Sequence, residues 1–284
     1  MKLNSNRYAQ DMSDQPLTLM AVHAHPDDEA LGTGGILAHY ADEGVRTVLV
    51  TCTNGELGDG PGGVKPEDPA HDEGAVVPIR LQELKASCEV LGVTHLELLG
   101  YHDSGMEGWP QNDAAGSFWQ TPVEVAGHRL ADLMRTYRPQ VVVTYDQHGF
   151  YGHPDHIQAN RVTHAAIDEC DIPAKLYYTA VARSTLRGFG EMLAEAGVDS
   201  PIDVDANPDF GTLDELITTT VDCSAVVGRK FASLAAHGSQ SDNIFFLQMG
   251  EDKFSAVMGN ESFVRALDTT HAPVPEVDLF AGIR

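Results

Sequence analysis

The regular alternation of apolar runs with amphipathic segments is the feature that most constrains the fold of this chain. The first apolar run, Leu17 to Val22, is typical of a central parallel strand that is buried on both faces. A predicted helix from about Ala30 to Tyr40 and a second predicted strand, Val45 to Cys52, follow it. The same order is then repeated by predicted helices and strands at Ile79 to Leu91, Thr94 to Leu99, Pro122 to Tyr137, Gln140 to Tyr145, Ile157 to Glu169 and Lys175 to Val181. The repetition predicts an α/β fold, a Rossmann-like three-layer sandwich with a mainly parallel sheet and right-handed crossovers.

The alternation weakens in the last third of the sequence, which divides the chain into a core and a smaller C-terminal portion. Residues 17–183 form the predicted Rossmann-like catalytic core, and residues 184–284 are expected to pack on it and to contribute to the substrate pocket. In that portion a strand is predicted at Ile217 to Val221 and a helix at Ala225 to Ala236. Residues 1–16 form a predicted flexible leader, which is polar and lacks the apolar segment of a secretory signal.

The composition disfavours several classes of partner. The chain has 42 acidic and 18 basic residues and a formal charge of −24, which repels nucleic acids and anionic membranes. No apolar stretch of the sequence approaches the roughly 20 residues of a membrane span. The four cysteines include no Cys-x-x-Cys pair, which suits the reduced thiols of a cytoplasmic protein. We therefore expect a cytoplasmic protein that acts on a small molecule. The sequence is compatible with either a monomer or a homo-oligomer.

Two short motifs combine imidazoles with carboxylates. The first motif is His25-Pro-Asp-Asp-Glu29 and the second is His153-Pro-Asp-His156, and each follows a predicted strand. Open parallel sheets place their active sites outside the carboxyl ends of the strands, so the two motifs are expected to meet there. Two histidines and one aspartate are a usual ligand set of a hydrolytic zinc or of non-haem iron. The sequence therefore predicts one metal site, for Zn²⁺ or for Fe²⁺.

The spacing inside each motif indicates a division of labour. Asp27 and Asp28 are adjacent and do not easily reach the same ion, so one is expected to bind the metal and the other to act as a general base. His153 and His156 are three residues apart and would lie near one face of a helix start. One of them is expected to bind the metal, and the other to face the substrate as an acid or as an oxyanion partner.

A dinucleotide site is the rival interpretation of the glycines Gly32-Thr-Gly-Gly35. The dinucleotide fingerprint needs its glycines in the turn that follows the first strand, and an acidic residue at the end of the next strand. Here the first motif occupies that turn, and Cys52-Thr53 ends the second predicted strand. The pattern therefore disfavours nucleotide binding.

A longer series of landmarks resembles the LmbE/PIG-L family of zinc-dependent N-deacetylases, especially the bacterial branch that handles mycothiol and its precursor. The similar segments, in chain order, are Ala24–Glu29, Val50–Glu56, Arg80–Leu84, Leu91–Val93, Asp103–Met106, Arg138-Pro139 and Tyr151–His156. The resemblance implies that His25, Asp28 and His156 bind zinc and that Asp27 is the general base. It also implies that His153 stabilises the transition state or protonates the leaving amine.

Further roles come from the same resemblance. Asp155 would orient His153, and Tyr151 matches a tyrosine that can polarise the amide carbonyl. Arg80 and Asp103 match positions that contact the sugar-like substrate. Asp59 stands where the precursor deacetylase carries Glu, and His237 lies in a run similar to the C-terminal helix of the family. Asp59 and His237 are therefore candidate substrate contacts.

The predicted function is the hydrolysis of an N-acyl amide, most often acetyl, on an amino sugar or its conjugate. One alternative is a different scissile amide, as in a thiol-conjugate amidase or a deacetylase of a glycosylated natural product. A second alternative is a non-catalytic metal-dependent binding module, which would need neither a base nor an acid. The long segments Gly58 to Pro78 and Glu107 to Thr121 are expected to govern substrate choice.

Overall fold

A single mixed sheet runs through the part of the chain described by the computed structural model, residues 15–195 and 210–284. In these residues the sheet has seven strands in the order β3-β2-β1-β4-β5-β7-β6. The strands are β1 Thr18–His23, β2 Arg46–Thr53, β3 His95–Tyr101, β4 Val141–Thr144, β5 Lys175–Ala180, β6 Thr219–Asp222 and β7 Asn260–Asp268. Strands β1 to β5 are parallel, whereas β7 is antiparallel to both β5 and β6. The predicted α/β fold with a mainly parallel sheet is confirmed.

The centre of the sheet is β1, which explains the apolar run at the start of the sequence. All six of its residues are buried. Leu19 and Ala21 pack into one apolar cluster, while Met20 and Val22 pack into another on the opposite face. Because chain order reverses between β1 and β4, a crevice forms at their carboxyl ends, where doubly wound folds bind ligands.

Helices cover both faces of the sheet and complete three layers. They are α1 Asp28–Gly32, α2 Gly34–Asp42, α3 Glu73–Leu91, α4 Val123–Tyr137, α5 Gly149–Gly152, α6 Pro154–Cys170, α7 Arg183–Glu195, α8 Val227–Ala236, α9 Ser241–Gln248 and α10 Glu251–Met258. Leu37 of α2 and Leu84 of α3 pack on one face. Leu130 of α4 and Val162 of α6 pack on the other. None of these helices is long and apolar enough to cross a bilayer.

Three helix boundaries differ from the sequence prediction. The helix predicted from Ala30 to Tyr40 is broken at Thr33, whose hydroxyl lies 2.8 Å from His23 Nε2 beneath it. Helix α3 begins at Glu73 rather than at Ile79, because the Asp72 side chain caps it and Pro78 is accommodated inside it. Helix α6 begins at Pro154 rather than at Ile157, with proline at its first position. Most of the second motif therefore lies in the first turn of a helix.

The C-terminal portion extends the sheet of the predicted core. Strand β7, which the sequence pattern did not predict, pairs with β5 along its length, and β6 pairs with β7 at the edge. The strand predicted at Ile217 to Val221 is β6, and the helix predicted at Ala225 to Ala236 is α8. The division after residue 183 therefore falls inside one continuous sheet and stays a prediction. The predicted leader lies almost wholly outside the described residues.

A buried glutamate links β7 to the N-terminal part of the chain. The Glu261 carboxylate accepts hydrogen bonds from the backbone N–H groups of Gly35 (2.7 Å) and Ile36 (2.9 Å). It also lies 2.7 Å from Lys230 Nζ on α8. These amides are at the start of α2, where helix N–H groups have no partner within the helix. The C-terminal portion thus caps the helix that follows the first motif.

Candidate metal centre and active site

The two motifs meet at the carboxyl ends of β1 and β4. His25 and Asp28 follow β1, and His156 lies in α6, which follows β4 through the short helix α5. The Asp28 carboxylate lies between the two imidazoles, with Oδ2 3.3 Å from His25 Nδ1 and Oδ1 3.4 Å from His156 Nε2. The three side chains that were predicted to bind the metal therefore converge.

The hydrogen bonds of the two imidazoles leave one nitrogen of each ring available to a cation. His156 Nδ1 donates to the Gly149 carbonyl (3.2 Å), so Nε2 carries the lone pair. This Nε2 is buried and has no hydrogen-bond partner among the described residues. His25 Nε2 donates to Asp155 Oδ2 (3.2 Å), which leaves Nδ1 facing Asp28. A donor set of two imidazole nitrogens and a carboxylate fits a divalent cation.

His153 is also close enough to be considered as a ligand. His25, His153 and His156 each offer a ring nitrogen within 4.8 Å of the others. However, His153 Nδ1 accepts a hydrogen bond from the Asp155 backbone N–H (3.1 Å), so a neutral ring carries its proton on Nε2. A protonated nitrogen cannot bind a metal. Asp28 is therefore the better third ligand, and His153 is a hydrogen-bond donor beside the site.

Asp28 is ionised although it lies in a poorly hydrated place. Burial alone would raise its pKa, but the adjacent His156 and His25 outweigh burial and hold the pKa of Asp28 well below its usual range. The Tyr145 hydroxyl donates a further hydrogen bond to Oδ2 (2.7 Å), and its ring stacks on His156 with centroids 4.1 Å apart. The sequence analysis did not assign Tyr145 to the site. Its position directly after β4 was the available signal.

Asp27 has a strained backbone and two strong partners. Its φ is 105°, a left-handed conformation that is rare for residues other than glycine. The Asp27 N–H donates to Glu29 Oε2 (3.0 Å), and the carboxylate lies 3.2 Å from an Arg80 guanidinium nitrogen. Burial raises the pKa of Asp27 to about 6, and Arg80 opposes this rise. A divalent cation nearby would favour the ionised form further.

Arg80 holds the first motif in place. Its guanidinium donates to the carbonyl of Gly55 (2.6 Å) and to the carbonyl of Pro26, in addition to its contact with Asp27. The side chain is buried, yet it reaches the wall of the cavity. Arg80 was predicted as a substrate contact. The structure places it at the cavity and gives it contacts with the turn that carries Asp27, the predicted base.

His153 and Tyr151 line the same cavity as Arg80. Burial, together with the neighbouring imidazoles of His25 and His156, lowers the pKa of His153 to about 2. A neutral His153 is therefore expected over the physiological pH range. Tyr151 is 47% exposed, and its ring lies edge-on to His153 and His156, with centroid distances of 6.0 and 5.0 Å.

A cavity of about 460 Å³ opens above these groups. Asp59 and Asp103 line it, and their role as substrate contacts stays a prediction. The Asp59 carboxylate is bound by Lys65 Nζ (2.9 Å) and by the Ser241 hydroxyl (2.5 Å), so it joins the long loop before α3 to the C-terminal portion. The rest of the lining includes Leu57, Lys65, Glu67, Met106, Trp109, Gln240 and Ser241. Lys65, Glu67 and Trp109 lie in the two long segments that were expected to govern substrate choice, and Gln240 and Ser241 lie in the C-terminal portion.

Two predicted contacts differ in the structure. Asp155 was expected to orient the ring of His153, but its carboxylate binds His25 Nε2 and the backbone N–H of Ser104 (2.8 Å). Its carboxylate therefore orients His25, a predicted metal ligand. His237 was expected to approach the substrate. It is buried, lies 2.7 Å from Glu29 Oε1, and is not among the described residues that line the cavity.

Two imidazoles and a carboxylate around one point, with a second carboxylate and an open cavity beside them, define a candidate metal-dependent hydrolase. The chain matches the family PIG-L: GlcNAc-PI de-N-acetylase over residues 20–167. It is 43% identical to the 1D-myo-inositol 2-acetamido-2-deoxy-alpha-D-glucopyranoside deacetylase of Acidothermus cellulolyticus, with 94% of this chain and 95% of that protein covered. The chain therefore belongs to the PIG-L family, which confirms the resemblance found in the sequence. It is an amide hydrolase that acts on N-acetyl groups.

Solved structures share the fold at much lower identity. The N,N'-diacetylchitobiose deacetylase of Pyrococcus horikoshii matches with a TM-score of 0.56 and 18% identity, covering 93% of this chain and 94% of that one. GalB, the 4-carboxy-2-hydroxymuconate hydratase of Pseudomonas putida KT2440, matches with a TM-score of 0.57 and 17% identity, covering 90% and 99%. A deacetylase and a hydratase therefore share this architecture. The fold alone does not fix the reaction, and the assignment rests on the sequence family.

Proposed function

We propose that this enzyme removes the acetyl group from an N-acetylglucosamine unit joined to inositol, using a bound zinc ion. The observation that carries the proposal is the convergence of His25, Asp28 and His156 beside Asp27 at one cavity. The inositol-linked substrate is supported by the 43% identical relative, whose name specifies that glycoside. The amide hydrolase class follows from the family.

The proposed metal ligands are His25 Nδ1, the Asp28 carboxylate and His156 Nε2. A divalent cation bound by these residues would supply an activated water as nucleophile near neutral pH and would polarise the amide carbonyl. Zinc is preferred because two imidazoles and one carboxylate with open positions are a usual hydrolytic zinc site, although ferrous iron accepts the same set. Metal analysis of protein purified without added metal distinguishes the two ions.

The remaining roles belong to side chains around the scissile amide. Asp27 takes the proton of the attacking water, because its carboxylate lies at the cavity beside Asp28. His153 donates from Nε2 to the oxygen that becomes negatively charged, a role that suits a neutral ring whose Nδ1 already accepts a hydrogen bond. The half-exposed Tyr151 hydroxyl donates to the same oxygen.

The charge of the cavity favours a neutral, hydroxyl-rich substrate. Its lining includes the carboxylates of Asp27, Asp28, Asp59, Glu67 and Asp103, against the cations Lys65 and Arg80. Carboxylates accept hydrogen bonds from sugar and inositol hydroxyls, whereas they repel phosphates. We assign Asp103 and Asp59 to such contacts, with Arg80 beside them. A thiol-conjugate amide is the second substrate to be tested.

We further propose a cytoplasmic location. All four cysteines, Cys52, Cys88, Cys170 and Cys223, are free thiols, which suits a reducing compartment. Fractionation of the source cells with an antibody to the protein tests this, and recovery with secreted proteins would reject it.

The function is tested by incubating the zinc-loaded enzyme with a panel of amides and measuring acetate and free amine together. The panel contains inositol-linked N-acetylglucosamine, free N-acetylglucosamine and a thiol-conjugate amide. We expect the highest kcat/KM for the inositol-linked sugar and no turnover by an Asp28→Asn variant, which lacks a metal ligand. Faster cleavage of the thiol conjugate would reassign the substrate. Amine release that is equal with and without metal would reject the mechanism.

A further inference from the structure

We propose that His237, acting through Glu29, is a positioning residue for the catalytic base Asp27. The inference rests on the proposed function, in which Asp27 takes the proton. His237 comes from the end of α8, in the C-terminal portion, and is buried away from the cavity. Its influence on the reaction must therefore pass through the groups that it contacts.

The first step is the contact between Glu29 and the backbone of Asp27. Glu29 lies in α1 and is buried. Its Oε2 accepts the Asp27 N–H at 3.0 Å. Because Asp27 has a φ of 105°, its peptide group needs an external partner to stay in this rare conformation. The Glu29 carboxylate is that partner, and it thereby sets the direction in which the Asp27 side chain leaves the turn.

The second step is the contact that fixes Glu29 itself. His237 Nε2 donates to Glu29 Oε1 at 2.7 Å, and the Ser87 hydroxyl donates to the same oxygen. Both Glu29 and His237 are completely buried, so the ionised carboxylate depends on these donors. Loss of His237 frees Glu29 to turn away from Asp27. The base would then lose the partner of its N–H group.

The residues that follow His237 bind helix α3, which carries the Arg80 partner of Asp27. Ser239 binds Glu83 on α3 through its N–H (2.8 Å) and its hydroxyl (2.7 Å). Helix α3 also carries Arg80, which lies 3.2 Å from the Asp27 carboxylate. One short segment, residues 237–241, therefore supports both the backbone and the side-chain contacts of Asp27.

A purely structural role would give a different result from a positioning role. A buried His–Glu pair that only stabilises the fold should lower the melting temperature when it is broken, without a selective loss of kcat. A positioning pair should lower kcat while KM and metal content stay unchanged, because the substrate and metal contacts are intact. It should also be rescued by a residue that keeps the N–H donor.

The experiment compares His237→Leu, which removes the donor, with His237→Gln, whose amide nitrogen can replace Nε2. We expect kcat of His237→Leu to fall roughly 10- to 100-fold, as for a slightly misplaced catalytic group. We expect His237→Gln to restore most of kcat. Hydrogen exchange of the peptide containing Asp27 should be faster in His237→Leu than in the wild type, which reports on the turn independently of activity.

Lys230→Met is the matched control, because it changes a residue of α8 and breaks a buried ion pair with Glu261 of β7 instead of the pair with Glu29. It should lower the melting temperature but leave kcat unchanged. If His237→Leu does not fold, Glu29→Gln decides the question and must show the same selective loss of kcat. Wild-type kcat and exchange rate in the folded variant would overturn the proposal.

Combination with Asp27→Asn separates this inference from the proposed function. If Asp27 is the base and His237 acts through it, His237→Leu should cause no further loss of kcat in the Asp27→Asn background. A further loss of the same size would overturn the positioning role. If Asp27→Asn alone kept wild-type turnover, the assigned base would be wrong, which is a failure of the proposed function.

Discussion

The two motifs that form the metal centre are built in opposite ways. The first motif is held both from within and by distant parts of the chain. Its own Glu29 accepts the Asp27 N–H, while Arg80 contacts the Asp27 carboxylate and Tyr145 donates to Asp28. The second motif is placed by the start of a helix, and its His156 Nε2 has no hydrogen-bond partner in the described residues, while the preceding Tyr151 is half exposed. The comparison shows that the carboxylates of the site have fixed partners, whereas the ring nitrogen of His156 is left available to a cation.

The largest expected loss of metal binding is that of His156→Ala, in the second motif. Removing one of the three proposed ligands should lower metal affinity by more than roughly 100-fold, beyond the 10- to 100-fold typical of a residue that only orients a ligand. Activity should fall with the metal content, as measured by elemental analysis beside turnover. His164→Ala in the same helix is the control, because His164 bonds to the Tyr178 hydroxyl away from the site. A normal metal content in His156→Ala would remove His156 from the ligand set.

The next largest effect is a loss of turnover in Asp27→Asn, in the first motif. Loss of a general base should lower kcat roughly 10²- to 10⁴-fold, while the bound metal is retained. The asparagine keeps the size of the side chain and allows the same turn. Metal stoichiometry and kcat are measured on one preparation. An empty site in this variant would exchange the roles of Asp27 and Asp28.

His153→Ala tests the second motif without removing a proposed metal ligand. Because His153 is expected to stabilise the oxyanion, kcat should fall roughly 10²- to 10³-fold with little change in metal affinity. Its neutral ring also predicts that this loss is nearly independent of pH between about 6 and 9, well above the low pKa of the ring. Loss of metal from His153→Ala would show that it is a ligand instead.

The smallest effect is expected for Asp155→Asn. This change weakens the hydrogen bond that orients His25, the proposed ligand in the first motif. Since Asp155 binds His25 Nε2, metal affinity should fall roughly 10- to 100-fold, measured by competition with a chelator. At saturating metal, kcat should return close to that of the wild type. If kcat stayed low while affinity was normal, Asp155 would act through His153, as the sequence had predicted.

Local patterns were sufficient to predict most of the fold. Strands such as β1 are buried on both faces and therefore appear as apolar runs, and the two motifs follow such strands directly. Strand β7 was missed because buried residues alternate with half-buried ones at its start, as in Glu261 and Ser262, and no continuous apolar run marks it. The break at Thr33 was missed, and its hydroxyl bonds to His23 in another element, a contact that local sequence does not show.

Site residues were predictable where chemistry is encoded by neighbours in the sequence. His25, Asp28 and His156 sit in short motifs whose residue types already indicate a metal. Tyr145 and Glu29 act through contacts that join separate elements, and nothing in their local sequence indicates those partners. The same reason accounts for His237, whose residue type suggested the site but whose contact with Glu29 depends on the packing of α8 against α1.

The cap that Glu261 provides has a consequence for biosynthesis. The backbone N–H groups of Gly35 and Ile36 donate to the Glu261 carboxylate, which lies 226 and 225 residues further along the chain. Translation proceeds from the N-terminus, so both metal-binding motifs leave the ribosome long before that carboxylate is made. A polypeptide terminated before residue 261 would contain every proposed metal ligand, yet the helix behind the first motif would begin with unpaired amides.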